Sequence, residues 1–148
     1  MINNPTRNVV SIVTKTEDET VAESTVLQAD DQLTFPVVAD GVYLVQANLY
    51  ATFGEGDIKL GFSGPAMSFT SIRAQLVSDG QSLAMGSTTS LSTGIPLVVA
   101  TPVDGMIQVD CAFAPSANGT ITLVWAQNTS NATGAVVKGG SYLVVNTL

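Results

Sequence analysis

Between Tyr43 and Phe53 every odd position is apolar (Tyr43, Val45, Ala47, Leu49, Ala51, Phe53), while the even positions include Gln46, Asn48 and Thr52. A strict period of two cannot line one face of a helix, which needs a repeat near 3.6. It predicts a long strand with one face in a core and the other outward. The same alternation recurs. Ile58, Leu60 and Phe62 share one face of a run over 57–63, with Lys59, Gly61 and Ser63 opposite. Ile107, Val109, Cys111 and Phe113 share a face over 106–114, and Ile121, Leu123 and Trp125 share one over 119–127. Helical periodicity is nearly absent.

Further strands are expected over 9–15, 24–28, 32–37, 68–77, 96–100, 135–138 and 142–148, separated by Gly, Asn, Asp and Ser clusters. The pair Asp30-Asp31 reads as a turn, and Pro36 marks its strand as an edge or a strand end. Segment 78–93 carries the poorest signals, dominated by Asp, Gly, Ser and Thr, and reads as a short strand or a long loop. About eight to ten short strands with turns between them point to an all-β fold, an antiparallel two-sheet sandwich of the jelly-roll type. No repeat or compositional break divides the 148 residues, so 9–148 reads as one domain and 1–8 as a flexible N-terminal arm.

Only 11% of residues are charged, against roughly 25% in an ordinary globular chain. Mean hydropathy is +0.34, yet no run approaches the ~18 apolar residues of a membrane helix. Neutral surface without a membrane segment predicts burial against other copies of the chain, because obligate interfaces resemble a core cut in half. The net charge is −7, and Arg7, Lys15, Lys59, Arg73 and Lys138 are scattered. No basic stripe exists to neutralise phosphates, so nucleic acid is not an expected partner.

Residues for chemistry are scarce. The chain has no histidine, which removes Ser-His, Cys-His and histidine–metal sites. Ser63 in Gly61-Phe-Ser-Gly-Pro65 lacks nucleophile-elbow spacing and a base. Cys111 is the sole cysteine, so no intrachain disulfide forms, and its apolar run predicts a buried small hydrophobe. Glu17, Asp18, Asp30 and Asp31 are the candidate ligands for a hard cation such as calcium, but they do not follow a calcium-loop spacing. Gly54-Glu-Gly-Asp-Ile-Lys59 leads into a strand and lacks the helix dipole of a phosphate loop. The chain is therefore not expected to be an enzyme, and no cofactor or metal is expected.

Three Asn-x-Ser/Thr triplets begin at Asn118, Asn128 and Asn131. The N-terminal decapeptide lacks the charged-then-apolar pattern of a secretory signal. Folding in a cytoplasm and unmodified triplets are the expectation. Trp125 shares the face of Ile121 and Leu123, so it is expected in the core; an exposed stacking platform for sugar is the competing role.

Three blocks carry a family resemblance: Thr16 to Val37; Asp57-Ile-Lys-Leu-Gly-Phe-Ser-Gly-Pro65; and Gly119 to Gly134, followed by Val137-Lys-Gly-Gly-Ser-Tyr-Leu-Val144. Together they resemble small structural proteins of tailed bacteriophages and prophages, encoded among virion genes. Nothing in 78–105 adds to it. The resemblance implies a virion component without catalysis: a capsid decoration (cement) protein, or a head-fibre or tail-associated module that recognises a host surface glycan. A decoration protein would be made in the bacterial cytoplasm and would sit on the capsid surface as a homo-oligomer, a trimer at a three-fold axis, with the major capsid protein as partner. Its arm would dock through Ile2, Pro5 and Val9, with Arg7 pairing a shell carboxylate.

Overall fold

The computed structural model describes residues 9–100 and 103–148. These form twelve strands: β1 (Val9–Thr14), β2 (Glu19–Val21), β3 (Gln28–Val37), β4 (Tyr43–Phe53), β5 (Ile58–Ser63), β6 (Met67–Ser78), β7 (Gln81–Thr88), β8 (Ile95–Leu97), β9 (Val103–Pro115), β10 (Gly119–Ala126), β11 (Ala135–Val137) and β12 (Tyr142–Thr147). Every pairing is antiparallel. One sheet has the order β1-β12-β4-β9-β6-β7, with β11 and β2 alongside β4; the other has the order β3-β10-β5-β8.

Removing the extras leaves β1-β12-β4-β9 facing β3-β10-β5-β8. The chain passes from one sheet to the other at almost every connection, which is jelly-roll topology. The extra hairpin β6–β7 is inserted between β5 and β8 and widens the first sheet beyond β9. Its turn is Asp79-Gly80, both residues at positive φ (51° and 73°), the conformation that a tight two-residue hairpin needs.

The expected core faces are in place. Alternate residues of β4 and β9 meet Leu60, Phe62, Ile121, Leu123 and Trp125 across the sandwich, all of them buried. Phe62 packs edge-on against Phe113 with ring centroids 5.3 Å apart, and Phe35 lies 6.4 Å from Tyr43. Each such side chain contributes about 1.5–3 kcal/mol by leaving water. Cys111 is buried in this layer, and burial, then the charge of Asp110, pushes its thiol far above the usual range.

Asp30-Asp31 does not reverse the chain. β3 runs through it, and its pairing with β10 jumps from Thr34↔Thr122 to Ala29↔Val124, so the intervening residues bulge. Asp30 Oδ1 accepts the Gln32 and Leu33 amides at 2.9 Å, which satisfies donors that the bulge removes from the ladder. Pro36 sits in β3, an edge strand, where a missing donor costs nothing.

Charge is distributed unevenly along the strand axis. At one end the β3–β4, β5–β6 and β9–β10 turns are joined by Asp40 N to Pro115 O (3.0 Å), Ser116 N to Ala66 O (2.9 Å) and Ala39 N to Asn118 Oδ1 (2.8 Å). Val9, Val38, Val42, Leu44, Phe69 and Leu148 are exposed around it, and its carboxylate is Asp40. The opposite end gathers Glu17, Asp18, Glu19, Glu23, Asp30, Asp31, Glu55, Asp57, Asp79 and Asp104, ten of the twelve carboxylates, with Lys15, Lys59 and Lys138. That leaves seven unbalanced negative charges there, as many as the whole chain carries.

Candidate functional site

Two surfaces are candidates: the outer face of the large sheet, and a cleft at the acidic end. The strand register aligns side chains on the outer face in rows. Ile12, Val144, Gln46, Asp110, Arg73 and Ser87 form one row; Thr14, Tyr142, Asn48, Gln108, Gln75 and Met85 form the next. Val10, Asn146, Leu44 and Ala112 follow on one side, Tyr50 and Met106 on the other. Ile12 is 65% exposed and Met85 66%.

Charge on this face is balanced. Arg73 lies 3.8 Å from Asp110, and Lys138 Nζ donates to Asp104 Oδ1 at 3.3 Å near the acidic end. Both pairs are well solvated, so each is worth little to stability. The remainder is amide, hydroxyl and hydrocarbon. Two shallow depressions open on the face: one of about 250 Å³ lined by Gln46, Asn48, Gln108 and Asp110, one of about 280 Å³ lined by Leu44, Gln46, Asp110 and Asn146. A broad face with apolar and amide groups and no net charge suits burial against another protein.

The cleft has a volume of about 620 Å³ and is lined by Thr52, Phe53, Gly54, Glu55, Val103, Asp104, Asn131, Thr133 and Gly134. Its wall is the loop after β10, and one buried side chain shapes that loop. Gln127 Nε2 donates to Thr133 O at 2.7 Å, and its Oε1 accepts the Asn131 amide at 3.1 Å and the Ser24 amide at 3.4 Å. The Asn128 and Thr129 amides donate to Gly56 O at 3.0 and 2.9 Å. At Gly56 an added Cβ would stand 2.6 Å from Thr129 O, so the close approach requires glycine. Asn131 Oδ1 accepts the Thr133 amide at 2.8 Å. The Asn128 and Asn131 triplets thus lie in a cross-linked wall, and Asn118 is a turn residue at the other end.

Replacing Gln127 by Ala leaves donors and acceptors without partners. A loss of ~1–3 kcal/mol is expected. Faster amide exchange at Asn131 and Thr133, with strand amides unchanged, is the reading that checks it.

Trp125 is not in the cleft. It is 1% exposed, and its Nε1 donates to Asp30 Oδ2 at 3.4 Å, so it is a core residue as expected and no stacking platform. Lys15 Nζ lies 2.9 Å from both Asp30 Oδ2 and Glu19 Oε2, with the Lys15 and Asp30 side chains almost wholly buried. Asp18 Oδ1 accepts the Gly139 amide at 2.8 Å. Of the four acids weighed for a hard cation, Asp30 is held in an ion pair and Asp18 caps a turn. Among the described residues no group of three or more His, Cys, Asp or Glu is placed to hold a metal. Of the expected docking residues, Ile2, Pro5 and Arg7 lie outside the described residues. Val9 opens β1 opposite Thr147, 60% exposed. Sequence reasoning missed the neutral outer face as a unit, because aligning Asn48, Gln108 and Gln75 takes the register of three strands.

No family model and no curated protein matches the chain. Among solved structures it is similar to a chain of the infectious bursal disease virus Gx strain, at 11% identity and TM-score 0.29, covering 99% of this chain and 43% of that one. It is also similar to a chain of the Gt strain (11%, TM-score 0.27, covering 100% and 44%) and to one of the virus's VP2 subviral particle (10%, TM-score 0.26, covering 100% and 45%). The chain spans less than half the length of these matches, and likeness at this level carries no argument about function.

Proposed function

We propose that this chain is a structural component of a bacteriophage particle, a capsid decoration protein that joins copies of itself and binds the shell. The outer face of the eight-stranded sheet carries the reading: a chain of net charge −7 presents there a broad, charge-balanced surface of amides and exposed aliphatic groups. Copies that share a strong negative charge repel one another unless the faces they bring together are neutral. Buried between subunits in a closed ring, for which a trimer is favoured, Ile12, Leu44, Tyr50 and Met85 would leave water and the amides would pair across the contact.

Sedimentation of the purified protein, with and without undecorated bacteriophage shells assembled from major capsid protein alone, tests the reading. An oligomer that saturates the shells and raises their heat resistance is expected. A monomer indifferent to the shells would sink it. Placing like charges at the centre of the face, with Gln46→Glu and Gln108→Glu beside Asp110, should convert the oligomer to monomers without unfolding it.

A fibre or tail module that reads a host glycan is the competing function. It loses its aromatic platform, because Trp125 packs in the core.

A further inference from the structure

We infer that the apolar end of the sandwich, where the β3–β4 and β9–β10 turns meet, is the surface that seats on the shell, with the acidic end facing solvent. The inference rests on the reading above and adds the polarity of attachment. Three observations support it.

The two ends differ in charge. The apolar end has Asp40 as its carboxylate, whereas the opposite end carries the whole excess of seven negative charges. Desolvating the acidic end against a protein would bury unpaired carboxylates; desolvating the other would bury mostly hydrocarbon.

Val38 (56% exposed) and Val42 flank the β3–β4 turn, and neither is needed to hold it. The turn is fixed by backbone and buried groups instead: the Val38 amide donates to Tyr43 Oη at 2.9 Å, and Asp40 N donates to Pro115 O at 3.0 Å. Exposed apolar side chains on a turn that is already rigid form a preorganised contact, with little ordering left to do on binding.

Residues 1–8 also join the sandwich here, since Val9 pairs with Thr147 at the tip of the sheet. They bring one cation, Arg7, and no acid. A ring of copies joined by their sheet faces about an axis along the strands would place every apolar end on the same side. The inferred occupant is the shell of the reading above, and a second ring stacked on the same side is the outcome that the test separates from it.

Shell binding by three proteins tests this: the full wild-type chain, the variant Val38→Asp/Val42→Asp, and the variant Glu55→Gln/Asp79→Asn at the opposite end. All substituted side chains are outside the core, and the single variant Val38→Asp serves if the double one melts early. The apolar-end variants should bind undecorated shells at least ten-fold more weakly while keeping the wild-type sedimentation coefficient. The acidic-end variant should bind within two-fold of wild type. Equal binding by all three, or a loss confined to the acidic-end variant, overturns the inference and leaves the decoration reading standing. Doubling of the wild-type oligomer's mass, abolished by Val38→Asp, would assign the end to a second ring and also overturn it. A wild type that ignores the shells removes both.

Discussion

Substituting Asp30 by Ala should destabilise the protein by ~3–5 kcal/mol, the cost of breaking a buried ion pair from one side. For a domain of this size that lowers the melting temperature by roughly 6–20 °C. Oδ2 of Asp30 faces Lys15 Nζ at 2.9 Å and Trp125 Nε1 at 3.4 Å, while Oδ1 holds the Gln32 and Leu33 amides of the bulge. Without the carboxylate, Lys15 retains Glu19 at 2.9 Å, but three further donors lose their acceptor. The pair also joins the two sheets, since Lys15 follows β1 in one and Asp30 belongs to β3 in the other.

The loss should depend on pH. Burial opposes the Asp30 charge, yet the Gln32 amide, Lys15 and the Leu33 amide together outweigh it and hold the carboxyl below its usual value of 3.8. A depressed folded pKa gives stability that is present above the unfolded pKa and is lost as pH falls through the folded one. The gap between wild type and Asp30→Ala should thus be widest at neutral pH and narrow below about pH 4, where even the unfolded carboxyl begins to hold its proton. Lys15 behaves in the opposite sense. Burial works against its charge, but hydrogen bonds to Glu19 and Asp30 and their charges raise its pKa above 10.5. Its contribution persists up to that pH and fades only as the solution passes the raised value. Chemical denaturation of both proteins from pH 3 to pH 8 checks this; parallel curves would rule out Asp30 as the titrating group.

Trp125→Ala is expected to cost a comparable ~3–5 kcal/mol, here from a cavity. Trp125 is among the largest fully buried side chains, in the layer formed with Ile121 and Leu123. The loss should appear as a lower denaturation midpoint. Glycan binding, if a glycan array finds any to wild type, should fall only in step with the folded fraction. A stable variant with selectively lost glycan binding would contradict the core assignment.

The strands legible in the sequence were those with one face in the core. β4 and β9 alternate because burial selects every second residue; in β5 and β10 the apolar alternation marks the inward face although Gly61, Val124 and Ala126 are buried as well. β7 was legible only as a short strand or a long loop because its residues lie mostly outside the core, so backbone pairing with β6 holds it and no apolar period is written into Gln81–Thr88. Asp79-Gly80 was the available signal, a dipeptide suited to a tight hairpin. β2 has three residues, too few to show any period. The bulge at Asp30 looked like a turn because both features place a short polar side chain over its own backbone amides; only the cation reaching across from Lys15 distinguishes them. The cleft was not legible, since Gln127 and Gly56 meet through the fold and nothing local marks either.

The pairing of β1 with β12 has a consequence for biosynthesis. Val9 opposes Thr147 and Thr14 opposes Tyr142, so β1 finds its neighbour only after the ten strands between them have been translated. β12 also lies between β1 and β4. A nascent chain halted before Tyr142 would hold an incomplete sheet with an open slot flanked by β1 and β4, ready to take up any extended peptide it meets. Ribosome stalling or premature termination near that point should therefore yield aggregates or protease substrates, and not a shortened but serviceable domain.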